Sequence, residues 1–198
     1  YVSLTATFFA SLIALPLGAL IYFYDFRGKH AVISTLQTLY ALPTVIVGLV
    51  VFLLLSNVGP FGFLRLLYTP GGMIAAQTVL IIPLLMGLTV TALSGIDRDK
   101  RYTITALGAS RFQTVLTIIA EARFAVMAGI LLGFGRAIAE VGTVMIVGGN
   151  IRGATRVLTT AIALNTSMAN YSLSIALGII LLAVALGVNI ALSIVQRR

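Results

Sequence analysis

The sequence predicts an all-α, polytopic membrane protein. Three observations carry that expectation: the scarcity of charge, the length of the apolar runs, and the way basic residues gather between some of those runs. Of 198 residues, 60% are hydrophobic and 9% charged, against about 25% charged in an average soluble domain. Mean hydropathy is +1.11. A soluble fold has no way to hide so much apolar surface, whereas runs of roughly 18 or more apolar residues are what a helix needs to cross a hydrocarbon layer about 30 Å thick.

Five such segments are expected as spans of a single domain covering residues 1–198: Tyr1–Tyr24, Ala31–Leu55, Gly72–Leu93, Phe124–Val147 and Tyr171–Val195. Each reaches the length of about 20 residues required for a helical crossing. Pro16, Pro43 and Pro83 interrupt the first three and read as kinks, because neighbouring helices re-satisfy the carbonyls that a proline frees. The chain opens at Tyr1 inside an apolar run without the charged region or cleavage site of a signal peptide, and the native protein is expected to extend further upstream.

Basic residues set the orientation. Arg27 and Lys29 lie in the first connection, Arg98, Lys100, Arg101 and Arg111 in the third, and Arg197 and Arg198 at the C-terminus, whereas the second holds Arg65 and the fourth Arg152 and Arg156. The positive-inside rule makes the first, third and terminal segments cytoplasmic, which places the N-terminus outside and the C-terminus inside a multi-pass chain in the cell membrane. The net charge of +8 is therefore read as orientation, with the lipid bilayer as the environment and no nucleic-acid partner.

Two connections are more than turns. The cytoplasmic stretch 96–123 is too long for a tight turn and carries an amphipathic set, Ile104, Leu107, Val115, Leu116, Ile118 and Ile119, so one or two surface helices are expected there. The external stretch from Gly148 to Asn170 contains Val157–Leu164, too short to cross and expected to be interfacial or re-entrant.

Catalytic chemistry finds little footing. There is no cysteine and a single histidine, His30, so neither a thiolate metal site nor a histidine cluster is possible. The two lysines, Lys29 and Lys100, do not follow the glycine run of a phosphate-binding loop, and Glu121 and Glu140 stand too far apart to suggest paired carboxylates. Catalytic residues and metal ligands are therefore expected to be absent.

Two places remain. Arg136 and Glu140 fall four positions apart inside the fourth span, where a charge at the bilayer centre costs about 2.5–3.5 kcal/mol on insertion scales. Two readings stand: a structural ion pair that locks the helix to its neighbours, or a wall of an aqueous path in which Arg136 also senses a passing anion. In the cytoplasmic connection, Gly108 sits among Ala106, Leu107, Ala109, Ser110, Arg111 and Phe112. Either it lets another protein approach the backbone closely, or it merely ends a turn.

The run Ala106-Leu107-Gly108-Ala109-Ser110-Arg111, with Ile118 ten positions after the glycine, resembles the coupling segment of binding-protein-dependent ABC transporter permeases. That segment is written Glu-Ala-Ala, three residues, Gly, nine residues, Ile-x-Leu-Pro. The chain departs from it at both ends: Tyr102-Thr103-Ile104 stands in place of Glu-Ala-Ala, and Ala120-Glu121 in place of Leu-Pro. The block Gly133–Ile162, with Arg136-Ala137 leading to Glu140, Gly142 and Gly149-Asn150-Ile151, is similar to the molybdate and tungstate branch. Glu121-Ala122-Arg123 and the Met145–Gly153 run resemble tungstate permeases more. Leu15–Gly18 in the first span extends the resemblance over nearly the whole chain.

The resemblance implies a five-helix permease core with a cytoplasmic coupling helix, working as a homodimer with two cytoplasmic ATPase subunits and an external oxyanion-binding protein. ATP and Mg would bind the ATPase partner and no cofactor this chain. The expected cargo is a tetrahedral oxyanion, tungstate, with molybdate, sulfate or phosphate as alternatives and an ion-gradient-driven secondary transporter as the competing class. ATP drive is physically sensible, because moving a dianion into a negative cytoplasm costs about 2.3 kcal/mol per charge per 100 mV. Residues 106–112 would form the ATPase coupling site, and Asn150, Arg152 and Thr155 an external gate or binding-protein contact.

Overall fold

The computed structural model describes all residues except Ala41, Leu42, Arg197 and Arg198, and leaves the side chains of Arg98, Arg101, Arg111, Ala191, Leu192, Ser193, Val195 and Gln196 undescribed. The described residues form helices joined by turns: α1 (Val2–Phe23), α2 (Lys29–Tyr40), α3 (Thr44–Leu55), α4 (Pro70–Ser94), α5 (Arg98–Ala106), α6 (Arg111–Glu121), α7 (Arg123–Ile138), α8 (Gly142–Gly148), α9 (Leu158–Ser167) and α10 (Tyr171–Gln196). A short 3-10 turn, Gly62–Leu64, precedes α4.

α4 is the hub, packed by α1, α2, α3, α7 and α8. Its start is fixed locally: Pro70 fills the first helical position, where a missing N–H costs nothing, and the Thr69 hydroxyl accepts the Gly72 N–H at 3.2 Å. Lipid tails are as apolar as leucine, so α1 and α4 gain by close approach rather than by hydrophobic exclusion. Ala6, Ala10 and Ala14, all fully buried, recur every fourth residue of α1 against Ile81 and Leu85 of α4. Gly18 continues the stripe, and a Cβ there would lie 2.8 Å from the Met86 carbonyl oxygen.

Three helices, α1, α4 and the α10 stretch Tyr171–Ile190, are by themselves long and apolar enough to cross a membrane. The number rises to five if each of two bent pairs counts as one span. The stretches expected as the second and fourth spans are each divided between two helices. α2 and α3 make an angle of 99°, with Pro43 at the N-cap of α3, so this proline marks a corner and not a gentle kink. Pro16 and Pro83 stay inside unbroken α1 and α4. The fourth segment ends its first helix at Ile138 and restarts at Gly142. The connection 96–123 forms two helices, α5 and α6, and α6 meets α7 at 61°. The short segment Val157–Leu164 is helical from Leu158 onward, in α9.

Candidate functional site

The segment expected to couple to an ATPase is a helical hairpin whose turn is encoded by its own residues. Asp97 starts α5 by accepting the Asp99 N–H at 3.1 Å. At the other end the Gly108 N–H donates to the Thr105 carbonyl at 3.1 Å and the Ala109 N–H reaches back to the Ile104 carbonyl at 3.4 Å, the bond pattern that closes a helix on a left-handed residue. Gly108 supplies that conformation with φ +83°, and a Cβ on it would meet nothing within 4 Å. Gly108 thus ends the turn, and the space over it is open.

Ser110 then opens α6 through a reciprocal pair, its Oγ accepting the Gln113 N–H at 3.3 Å and its own N–H donating to Gln113 Oε1 at 2.8 Å. Ile118 and Ala122, each 1% exposed, seat the hairpin on Leu93 at the C-terminal end of α4. Around the tip, Leu107 is 83% and Phe112 71% exposed. Ala106 and Ser110 are exposed and Ala109 half-buried; the side chain of Arg111, also predicted to belong here, lies outside the described residues. An ion pair between Lys100 and Glu121 ties α5 to the end of α6. That hydrogen bond and charge hold the Lys100 ammonium above its ordinary pKa and the Glu121 carboxyl below its own.

The second site is the break between α7 and α8. Glu140, 5% exposed, turns into the protein and accepts the Thr143 N–H at 2.9 Å, satisfying an amide at the start of α8 with a carboxylate. Its own carbonyl accepts the Thr159 hydroxyl of α9 at 2.9 Å. The Thr143 hydroxyl donates to the Thr44 carbonyl of α3 at 2.8 Å. The Ala137 carbonyl, freed where α7 stops, accepts from Gln77 Nε2 of α4 at 2.9 Å and from the Ser3 hydroxyl of α1 at 3.2 Å. Four elements, α1, α3, α4 and α9, thus meet α7 and α8 at one helix break, and sequence reasoning missed all of it except the identity of Glu140.

The expected ion pair between Arg136 and Glu140 is corrected. Among the described residues the ion pairs are Lys29 with Asp25 and Lys100 with Glu121. A four-residue spacing brings side chains together only while the helix continues, and α7 ends at Ile138. Glu140 faces inward, while Arg136 stays on the last turn of α7, exposed.

Beside the break lies a cavity of about 490 Å³, walled by Ser3, Gln77, Glu140, Thr159 and, on α10, Leu181 and Val184. Gln77 is 2% exposed, and its Oε1 has no hydrogen-bond partner among the described residues. Such an oxygen marks a place for a donor such as water.

The loop that follows α8 is tightly bonded. Thr155, 2% exposed, accepts the Ile151 N–H at 3.0 Å and donates to the Gly148 carbonyl, so this hydroxyl is spent inside the loop. Asn150, half-buried at φ 50°, holds Arg156 by Nε to Oδ1 at 3.2 Å and Nη2 to the carbonyl at 3.3 Å. Arg152 is exposed. The three predicted external residues are therefore neighbours in one loop, but only Arg152 offers a solvent-facing side chain of charge; Arg156, also exposed, was not singled out.

The family described as binding-protein-dependent transport system inner membrane component matches residues 10–198. The chain is 44% identical, over 96% of its own length and 83% of the relative's, to a tungstate uptake system permease protein, TupB, of Peptoclostridium acidaminophilum. It is 42% identical to a probable anion ABC transporter permease protein of Haloferax volcanii, covering 96% of this chain and 84% of that one. A second TupB, of Campylobacter jejuni, is 36% identical over 84% of this chain and 70% of its own length.

Proposed function

The chain belongs to the inner-membrane components of binding-protein-dependent transport systems, and from that premise we propose that it is the membrane-spanning permease subunit of an ATP-driven importer for tungstate. One observation carries the reading into mechanism: Leu107 and Phe112 stand exposed at the tip of a hairpin that also exposes Tyr102 and Leu116 and is anchored to the end of the central helix. Such a tip has the chemistry of a knob that fills a groove on another protein. The permease works as a homodimer, and two cytoplasmic ATPase subunits, which bind ATP and Mg, take residues 106–112. A binding protein delivers the anion to the external face near Asn150, Arg152 and Thr155. The N-terminus lies outside and the C-terminus inside, supported by the basic residues of the hairpin and the C-terminus.

Molybdate and sulfate share tungstate's charge and tetrahedral shape, and phosphate its shape. Uptake into proteoliposomes holding the full-length chain with the ATPase subunits and binding protein of its transport system tests the reading. Co-purification of the ATPase and ATP-dependent tungstate uptake, resisting excess sulfate and phosphate, are expected. Uptake driven by an ion gradient without ATP would overturn it, and preferential molybdate or sulfate uptake would reassign the cargo. In the same preparation, a thiol at Ser110 of this cysteine-free chain should react from the cytoplasmic side only.

A further inference from the structure

Within α1, α3, α4, α7 and α10, the described charged side chains are Arg123, at the cytoplasmic start of α7, and Arg136. Arg136 lies about 20 Å further along that helix at 1.5 Å per residue. Its face is continuous: Ala125, Ala128, Leu132, Arg136 and Ala139 are all exposed and recur at spacings of three and four, one side of a helix. No carboxylate lies on that face, since Glu140 is buried and engaged with Thr143. A guanidinium at this depth does not face lipid tails; it needs a second protein surface or an aqueous path. The three alanines beside it allow a neighbouring backbone to approach closely.

We propose that this face lines the seam between two copies of the chain, and that the two Arg136 side chains, opposed across the two-fold axis, form a transit site for one dianionic tetrahedral oxyanion. The proposal rests on the homodimeric importer reading above. In an isologous contact, residues close to the axis meet their own equivalents, so two guanidinium groups face one another and repel when the site is empty. A dianion between them makes a neutral cluster, whereas a monoanion leaves one positive charge unmatched. The shape also fits: each planar guanidinium offers a fork of N–H donors, and a tetrahedral anion presents two opposite edges of paired oxygens. The site therefore selects by charge and by geometry, independently of affinity in the binding protein.

The test uses the complete importer in proteoliposomes, with tungstate as the probe. With Arg136→Gln, the complex should assemble and its ATPase should still respond to loaded binding protein, while tungstate imported per ATP falls at least about tenfold. Arg136→Lys should retain part of the uptake, keeping the charge and losing the fork. Leu132→Cys should cross-link the two copies with a short bis-maleimide. Wild-type uptake per ATP in Arg136→Gln overturns the site, as does failure of both variants to assemble, which would make the residue structural. A transporting complex in which Leu132→Cys does not cross-link overturns the seam. Failure of the underlying reading is separate: the unaltered complex would not import tungstate at all.

Discussion

The α5–α6 hairpin and the α7–α8 break are two of the places where this chain interrupts its helices, and they do so by opposite means. In the hairpin every interruption is satisfied within a few residues: Asp97 with Asp99, Gly108 with Thr105, Ser110 with Gln113. At the break the partners come from far away in sequence: Gln77, Ser3, Thr159 and, through Thr143, Thr44. The hairpin is exposed around its tip, so water can satisfy whatever its own residues leave open. The break, enclosed among helices, needs protein partners for each freed N–H and carbonyl. A local device is portable and tolerates a partner docking on it, whereas the break holds only while the surrounding helices stay in register.

The largest expected effect falls on the break. Glu140→Ala leaves the Thr143 N–H without an acceptor in a buried site and should cost about 1–3 kcal/mol, read as a lowered thermal midpoint of the purified complex. Glu140→Gln keeps an acceptor oxygen and should lose less. Because Arg136 does not pair with Glu140, the double variant Arg136→Gln with Glu140→Gln should show additive stability losses to within about 0.5 kcal/mol. A marked rescue would restore the ion pair and blur the contrast between the regions.

A smaller effect is expected at Gly108. Its left-handed backbone disfavours a β-branched residue by about 1–2 kcal/mol, so Gly108→Val should loosen the turn and lower stimulated ATPase activity, while Gly108→Asn, which tolerates that conformation, should keep the turn. If Asn and a bulky Trp both leave stimulation intact in assembled complex, the open surface over Gly108 is not a contact. Coupling would then rest on Leu107 and Phe112 alone.

The smallest effect belongs to the Lys100–Glu121 pair, exposed on both sides, because such surface pairs contribute little. The sign is nevertheless fixed. The lowered Glu121 pKa gives a contribution present above that group's unfolded value and lost as pH falls through its folded value. The raised Lys100 pKa gives one present below its unfolded value and lost as pH rises through its folded value. Glu121→Gln should flatten both flanks of a stability profile across pH without moving its centre.

How much of this was legible follows the same division. The hairpin could be read because Gly108 and the amphipathic pattern carry their signals locally: one or two surface helices were expected in 96–123 and two stand there. The helix break was not legible, since Phe124–Val147, apolar apart from Arg136, Glu140 and Thr143, carries no local stop signal, and its polar groups are satisfied by the Ser3 hydroxyl of α1, the Thr44 carbonyl of α3, the Gln77 amide of α4 and the Thr159 hydroxyl of α9. The expected Arg136–Glu140 pair failed for that reason: its spacing presupposed a helix that stops two residues short of Glu140. At Pro43 the signal was visible but its size was not, because a proline marks where a helix must start and leaves the angle of approach to its neighbours. The side chains of Arg98, Arg101 and Arg111 lie outside the described residues, as do Arg197 and Arg198, so the basic clusters that set the orientation are argued from sequence.

The alanine and glycine stripe of α1 divides that helix into two surfaces ruled by different currencies. Toward α4 every atom is counted, since the backbones nearly touch and a single methyl at Gly18 would strike the Met86 carbonyl. Toward the exterior, where Phe8 is 63% and Leu12 64% exposed, only apolarity matters, because lipid fills whatever outline it is given. One helix is thus specified by volume along one edge and by solubility along the other, and an average over its whole length describes neither.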